Sequence, residues 1–348
     1  MRSLGFLLFA GALACSPNEV MPPGIGDFDG SVQPPPGGGI TGGDGGDAAI
    51  PDGGAALANA SNPAYLAVSG TSLYYTNFGT GPSDGTVSSV PLGGGTPTDL
   101  ASGLDSPWAL TVAGNTVYFT ISRANGTGAV FSVPTAGGAV TSIQDSVTGT
   151  FGIVNDGTNL FWTLDSDTSG VGGVTIEEVA LAGGTPKQLI GNGSTFLPDG
   201  LAIAGTDLYV PGQGTQSAVY HATTSGAVAL EPLDTPEAIT YADVAVSQDT
   251  VYATIDDIAP AGAIVSFPRQ GGVAKNVATN LNHPQRLALD GTNLYFTDPD
   301  GGNVWVVDLT SSNAPVQFAT GLASPLAITV ADAVYVGTST AIYRFAKM

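Results

Sequence analysis

A four-residue pattern returns seven times along this chain and constrains its fold more than any other feature: an aliphatic residue, an aromatic, a second aromatic or small apolar residue, then often Thr. The copies are Leu73-Tyr74-Tyr75-Thr76, Val117-Tyr118-Phe119-Thr120, Leu160-Phe161-Trp162-Thr163, Leu208-Tyr209-Val210, Val251-Tyr252-Ala253-Thr254, Leu294-Tyr295-Phe296-Thr297 and Val334-Tyr335-Val336. Their first members lie 44, 43, 48, 43, 43 and 40 residues apart. A short β segment recurring in the forties is the unit of a propeller blade, which buries its faces only against neighbouring blades. Each repeat reads as four strands. In the second, 107–112 turns at Gly114 into 117–120, then 129–134 follows, and Gly137-Gly138 turns the chain into a fourth. The expectation is an all-β, seven-bladed propeller of four-stranded antiparallel blades. The last repeat has its third strand at 341–345, and 55–58 precedes Pro63 much as Leu100 precedes Pro107 and Phe318 precedes Pro325. An N-terminal strand is therefore expected to complete the last blade and close the ring, which removes open sheet edges.

Composition narrows the class. With 43% apolar residues, 11% charged residues, 50 Gly and 24 Pro, the 348-residue chain has material for a large core but not for a helical one. Twenty-nine acidic residues against eight basic ones give a formal charge of −21. Nucleic-acid affinity depends on neutralising phosphates with Lys and Arg, so DNA and RNA are excluded as partners. The negative surface suits cations or basic partners, or simply keeps an exported protein soluble.

The N-terminus has a basic start at Arg2, an apolar run over 4–13 and Ala14 before the only cysteine, Cys15. That is the pattern of an export signal too short to span a membrane. Ala12-Leu13-Ala14-Cys15 resembles a bacterial lipobox, departing at Ala12 where Leu is usual. The resemblance implies cleavage before Cys15, lipidation of that residue and, with Ser16 following, an outer-membrane lipoprotein of the bacterial envelope. The division expected is 1–14 signal peptide, 15–51 lipidated Cys and Pro/Gly-rich linker, and 52–348 propeller. As a flexible coil the linker would reach about 30–36 Å.

Within the sixth repeat, Leu289-Asp290-Gly291-Thr292-Asn293-Leu294-Tyr295-Phe296-Thr297-Asp298 followed by Gly302-Asn303-Val304-Trp305-Val306-Val307-Asp308 resembles the repeats of YWTD and NHL-type propellers. Elsewhere Asn77, Ile121, Leu164 and Ile255 stand where the Asp would be. The repeat shape is also similar to that of virginiamycin B lyases, whose strands carry a metal-binding Glu after the aromatic-Thr unit. No Glu follows that unit here, so the resemblance does not carry that activity over.

In a four-strand meander, the turns between strands two and three and the links between blades share one face. Their lengths and chemistry vary here, and function concentrates in such loops. Residues opening the inner strands face the same side around the central channel. Tyr65, Trp108, Phe151, Asp199, Asp243, Gln285 and Arg286 are the ligand-binding candidates: aromatic walls with an Arg–carboxylate pair that a polar ligand could join, or an Arg that only neutralises the acids and plugs the channel. Paired acids at Asp165 and Asp167, Asp256 and Asp257, and Asp298 and Asp300 could take Ca²⁺ or another divalent cation, or could cap turns. No cofactor is otherwise implied. His283, beside Arg286, is the candidate for acid–base chemistry. The first reading is a monomeric, envelope-anchored, non-catalytic propeller that binds a protein, peptide or glycan. The alternative is a metal-dependent lactonase- or lyase-like enzyme, its metal held by Asp residues at the channel mouth with His283 or Arg286 assisting.

Overall fold

The structure, a computed structural model, describes residues 54–348 apart from 124–125, 166–172, 193–195, 215, 228–229, 237–238, 258–260 and 312–313. The export segment, Cys15 and the linker expected at 1–51 lie outside the described residues, as does Asp167. Seven antiparallel sheets form the seven blades, and the described residues contain no helix. Blade 1 runs through Pro63–Ser69, Ser72–Asn77, Gly85–Pro91 and Thr98–Leu104, paired in that order. Blade 7 takes Pro325–Val330, Val334–Thr338 and Ala341–Phe345 from the end of the chain, and its outer strand, Ala55–Asn59, from the beginning. Ala55 pairs with Arg344 and Asn59 with Ala341, so the ring closes where the sequence places the closure.

Alternation explains the packing. Apolar side chains of the recurring tetrapeptide point alternately to the two faces of each sheet, and each face meets the next blade. Among the described residues there are seven hydrophobic clusters, one at each of the seven blade interfaces. Tyr75 of blade 1 packs with Tyr335 of blade 7, Leu110 and Phe119 of blade 2 with Val87 of blade 1, and Trp162 of blade 3 with Trp108 and Val130 of blade 2. Complete burial of a side chain of this kind is worth about 1.5–3 kcal/mol.

The Thr that ends the tetrapeptide has a different role, one that hydrophobic periodicity does not show. Pairing of the inner strand to the second slips where the inner strand begins, between Pro63 and Tyr65, Pro107 and Leu110, Thr150 and Ile153, and Tyr241 and Val244. Such a bulge frees a backbone N–H. The Thr hydroxyl accepts it: Tyr65 N–H to Thr76 (3.2 Å), Ala109 to Thr120 (3.0 Å), Gly152 to Thr163 (3.0 Å) and Asp243 to Thr254 (2.8 Å). In blade 6 the Arg286 N–H donates to Thr297 in the same way, at 3.0 Å. In two blades the hydroxyl then donates onward to the next blade, Thr76 to the Trp108 carbonyl (2.7 Å) and Thr120 to the Phe151 carbonyl (2.9 Å). All five Thr side chains are buried. Val has nearly the same shape but no hydroxyl, so Thr120→Val strands the Ala109 N–H and the Phe151 carbonyl in the core. The expected cost is about 1–3 kcal/mol, read as a lower denaturation midpoint; an unchanged midpoint would refute this role for the hydroxyl.

Candidate functional site

The bulges aim side chains into the central channel. The residues whose N–H the Thr takes, together with their equivalents in blades 4 and 7, form one tier: Tyr65, Ala109, Gly152, Gly200, Asp243, Arg286 and Ala327. Four are small, and the other three fill the space. A Cβ on Gly200 would lie 3.5 Å from the Tyr65 hydroxyl and 4.0 Å from Asp243 Oδ1, and one on Gly152 would overlap the backbone of Gly200 and Leu201. The preceding tier contains Trp108, Phe151, Asp199 and Gln285. Blade 4 departs from the others. Pro211 stands where the Thr would be, and the inner strand is split into Phe196–Pro198 and Ala202–Ala204, with Asp199 and Gly200 in the gap.

Arg286 is the hub. Its guanidinium is 4.8 Å from the centre of the Tyr65 ring and 5.5 Å from that of Trp108, a cation held against two π faces. It donates to the Ala242 carbonyl at 3.3 Å and lies 3.9 Å from Asp199 Oδ2. Asp243 faces it with both oxygens already engaged, Oδ1 accepting the Val244 N–H (2.9 Å) and Oδ2 the Leu287 N–H of blade 6 (2.8 Å). The structure thus brings Tyr65, Trp108, Asp199, Asp243 and Arg286 together. Phe151 and Gln285 take equivalent places in their own blades, with the Phe151 carbonyl bound by Thr120 and the Gln285 N–H donated to the Thr297 carbonyl. The shape differs from an open pocket with aromatic walls: Trp108 is 1% exposed, Asp199 4%, Phe151 5%, Gln285 7% and Arg286 7%. Packing of the large residues against the small ones narrows the channel at this depth, where Tyr65 and Asp243 stay partly exposed. Trp108 Nε1 is buried without a hydrogen-bond partner, an arrangement rare in protein interiors, while the buried Gln213 side chain hydrogen-bonds Asp199 and draws its carboxyl down.

Charge follows geometry. Burial pushes the Asp199 carboxyl up to about 7, with Arg286 pulling against it and Asp243 and Asp256 adding to the rise. Burial likewise raises Asp243, against Arg286 and the two backbone N–H groups. For Arg286, burial works against the charge, but Tyr65, Asp199, Asp243 and Asp256 together hold the guanidinium above its ordinary value.

At the rim of the same face, His283 Nδ1 lies 2.8 Å from Asp256 Oδ1. The Asp256 side chain is 3% exposed and that of His283 35%, a buried carboxylate orienting an accessible imidazole. Burial raises Asp256, and the His283 hydrogen bond and the charges of His283 and Arg286 oppose that rise. His283 has φ 45°, in the left-handed region, and its N–H donates to the Asp257 carbonyl. That backbone state belongs to the repeat, because Asn62, Ser106 and Ser324 also precede a Pro with φ of 50°, 57° and 51°. Blade 6 alone of these four puts an imidazole in the slot, three residues before Arg286.

Of the paired acids, Asp298 caps its own turn. Asp298 Oδ1 accepts the Gly301 N–H (2.7 Å), and its Oδ2 accepts from Asn303 (3.2 Å) and the Trp305 indole (3.3 Å). Asp300 accepts from Asn282 at 3.4 Å. Among the described residues no three His, Cys, Asp or Glu side chains converge as a metal site would need. A metal on Asp199 and Asp243 does not fit the donors there, since Arg286 already supplies the positive charge and two N–H groups take the Asp243 oxygens. Pairing of Asp256 with His283 and the place of Gln213 escaped sequence reasoning. Asp256 does stand two residues past an aromatic-strand Thr, Thr254, at the same face as His283, and that was the available signal.

A raised carboxyl makes stability depend on pH. Asp199 in the folded chain holds its proton up to about pH 7, whereas an ordinary carboxyl releases it near 3.8, so folding loses stability as pH rises between those values. Asp199→Asn stays neutral. Its stability relative to the unsubstituted protein should therefore improve between about pH 5 and about pH 8, by on the order of a few kcal/mol. Chemical denaturation at the two pH values measures this, and a pH-independent difference would contradict the assignment.

No family model and no curated protein matches the sequence. Solved structures do. Virginiamycin B lyase from Staphylococcus aureus superposes with a TM-score of 0.65 at 16% identity, over 82% of this chain and 95% of that one. A catalytically inactive variant of the same lyase with quinupristin gives 0.66 at 15% identity, over 85% of this chain and 98% of that one. A puromycin-hydrolysing peptidase of Mycobacterium tuberculosis gives 0.55 at 15% identity, over 74% of this chain and 45% of that one. At such identities the likeness is one of fold, and the chain is a seven-bladed β-propeller similar in architecture to the virginiamycin B lyases.

Proposed function

We propose that this propeller is an enzyme of the lyase or lactonase kind, working by acid–base chemistry at the channel mouth without a metal held by the Asp residues there. The observation that carries the reading is the pair of buried Asp256 and half-exposed His283, 2.8 Å apart. With Nδ1–H donated to the carboxylate, Nε2 is left as the nitrogen that takes or returns a proton. Arg286 sets the local charge three residues on, and Asp256 interacts with both. The fold likeness to virginiamycin B lyase supports an enzyme over a scaffold.

Burial of the channel residues favours a second reading, the non-catalytic propeller that binds a protein, peptide or glycan through its loops, since Trp108 and Arg286 are packed against each other rather than exposed. Both readings place the protein at the bacterial envelope through a lipid on Cys15. Cys15→Ser should then move it from the membrane fraction to the soluble one, and unchanged fractionation would remove the anchor from the proposal.

A panel of simple lactones together with quinupristin tests the enzyme reading. Mass spectrometry separates the two reaction types, because elimination opens a ring without changing mass whereas hydrolysis adds one water. Opening of at least one substrate is expected, with His283→Ala lowering kcat/KM by about 100- to 10,000-fold and Asp256→Asn lowering kcat at unchanged melting temperature. Turnover that survives His283→Ala, or no turnover on the whole panel, would transfer the argument to the binding reading.

A further inference from the structure

A cleft of about 330 Å³ opens on the variable face between blades 5 and 6, outward of the channel. Trp305, Pro284 and Phe296 contribute its apolar lining, and Asn280, Asn282 and Asp298 its polar lining. Among the described residues no Lys, Arg or His lines it. Its described carboxylate, Asp298, already accepts three bonds, from the Gly301 N–H, the Asn303 amide and the Trp305 indole N–H. An anionic ligand would lose water there without gaining a cationic partner.

Trp305 is fixed by the same bond. Its only polar group is spent on Asp298, so the indole has just its π face to offer a ligand. A proline-rich peptide stacked on an indole normally also takes a hydrogen bond from the indole N–H, which is not free here. A sugar ring needs no such bond, since its face of C–H groups, slightly positive, meets the negative face of the ring. Its hydroxyls need planar amides at the edge. Asn280 donates to Thr279 (3.3 Å) and Asn282 to Asp300 (3.4 Å), so each amide is oriented through its nitrogen and keeps its oxygen as an acceptor. Asn280 is held in the left-handed conformation, φ 60°, and both Asn residues are exposed.

We propose that this cleft binds a neutral carbohydrate, one or two sugar rings stacked on Trp305 and hydrogen-bonded by Asn280 and Asn282. The site is separate from the His283–Asp256 pair and does not depend on it.

The protein carries its own reporter. Trp108 and Trp162 are 1% and 0% exposed, so a ligand-induced change in tryptophan emission comes from Trp305. The full chain is titrated with chitobiose, cellobiose and maltose. A saturable emission shift is expected for at least one of them, with a dissociation constant on the order of 1 mM. Asn282→Ala should weaken it about tenfold, as should Asn280→Gly, which keeps the left-handed backbone; both should leave the melting temperature unchanged. His283→Ala should bind as the unsubstituted protein does, which keeps this site distinct from the proposed catalytic one. No saturable shift with any of the three sugars overturns the proposal. So does a shift that neither Asn substitution weakens, or a shift produced by a proline-rich decapeptide and not by the sugars.

Discussion

One buried hydroxyl in each of five blades underlies the rest of this architecture. A propeller must turn its innermost strands toward a common axis without leaving their backbone unpaired, and in five blades a bulge at the start of the inner strand does the turning. The N–H it frees lies in a region with no water, where an unpaired donor would cost about 1–3 kcal/mol. Thr76, Thr120, Thr163, Thr254 and Thr297 each accept that N–H from the second strand. Thr suits the place because it is β-branched and fits a strand, yet carries an oxygen. In blades 1 and 2 the same oxygen also ties a blade to its neighbour, so local strand geometry and ring assembly share one atom.

The chemistry of the channel follows from that constraint. Residues presented by the bulges must share a narrow axis, and only a few can be large. Gly152, Gly200, Ala109 and Ala327 make room, while Tyr65, Asp243 and Arg286 take it. A chain carrying 29 acidic and eight basic residues has put one of its few cations at its centre, against two aromatic rings and among carboxyls whose pKa burial raises and whose rise that cation opposes. Blade 4 admits Asp199 because Pro211 replaces the Thr and the inner strand breaks beside it. The channel is an electrostatic unit whose members come from five blades.

Much of this was legible in the amino-acid sequence because repetition averages out local ambiguity. A single Leu-Tyr-Phe-Thr segment could belong to many folds, but seven at one interval leave few, and Ala55 falls where the missing outer strand is needed. Convergence of Arg286 with Asp199 and Asp243 followed from counting strands. Depth did not: whether Trp108 lines a pocket or fills a channel depends on how far the bulge turns it inward and on the small residues facing it, which no periodicity encodes. The partnership of His283 with Asp256 was hidden for a related reason. It joins a loop between blades to a loop within one, 27 positions apart, and although the His283 backbone slot follows the repeat, the side chain that fills it does not.

The closure of the ring has a mechanical side. Ala55–Asn59 is the outermost strand of blade 7, joined to the body through one ladder with Ala341–Phe345 and through Leu57 and Ala58 in the cluster shared with blade 1. Any load arriving through the residues ahead of Gly54 falls first on that ladder. The seam between the two ends of the chain is therefore the fuse of the ring: tension that peels away five residues opens blade 7 and exposes its edge, while the other six blades keep all their strands.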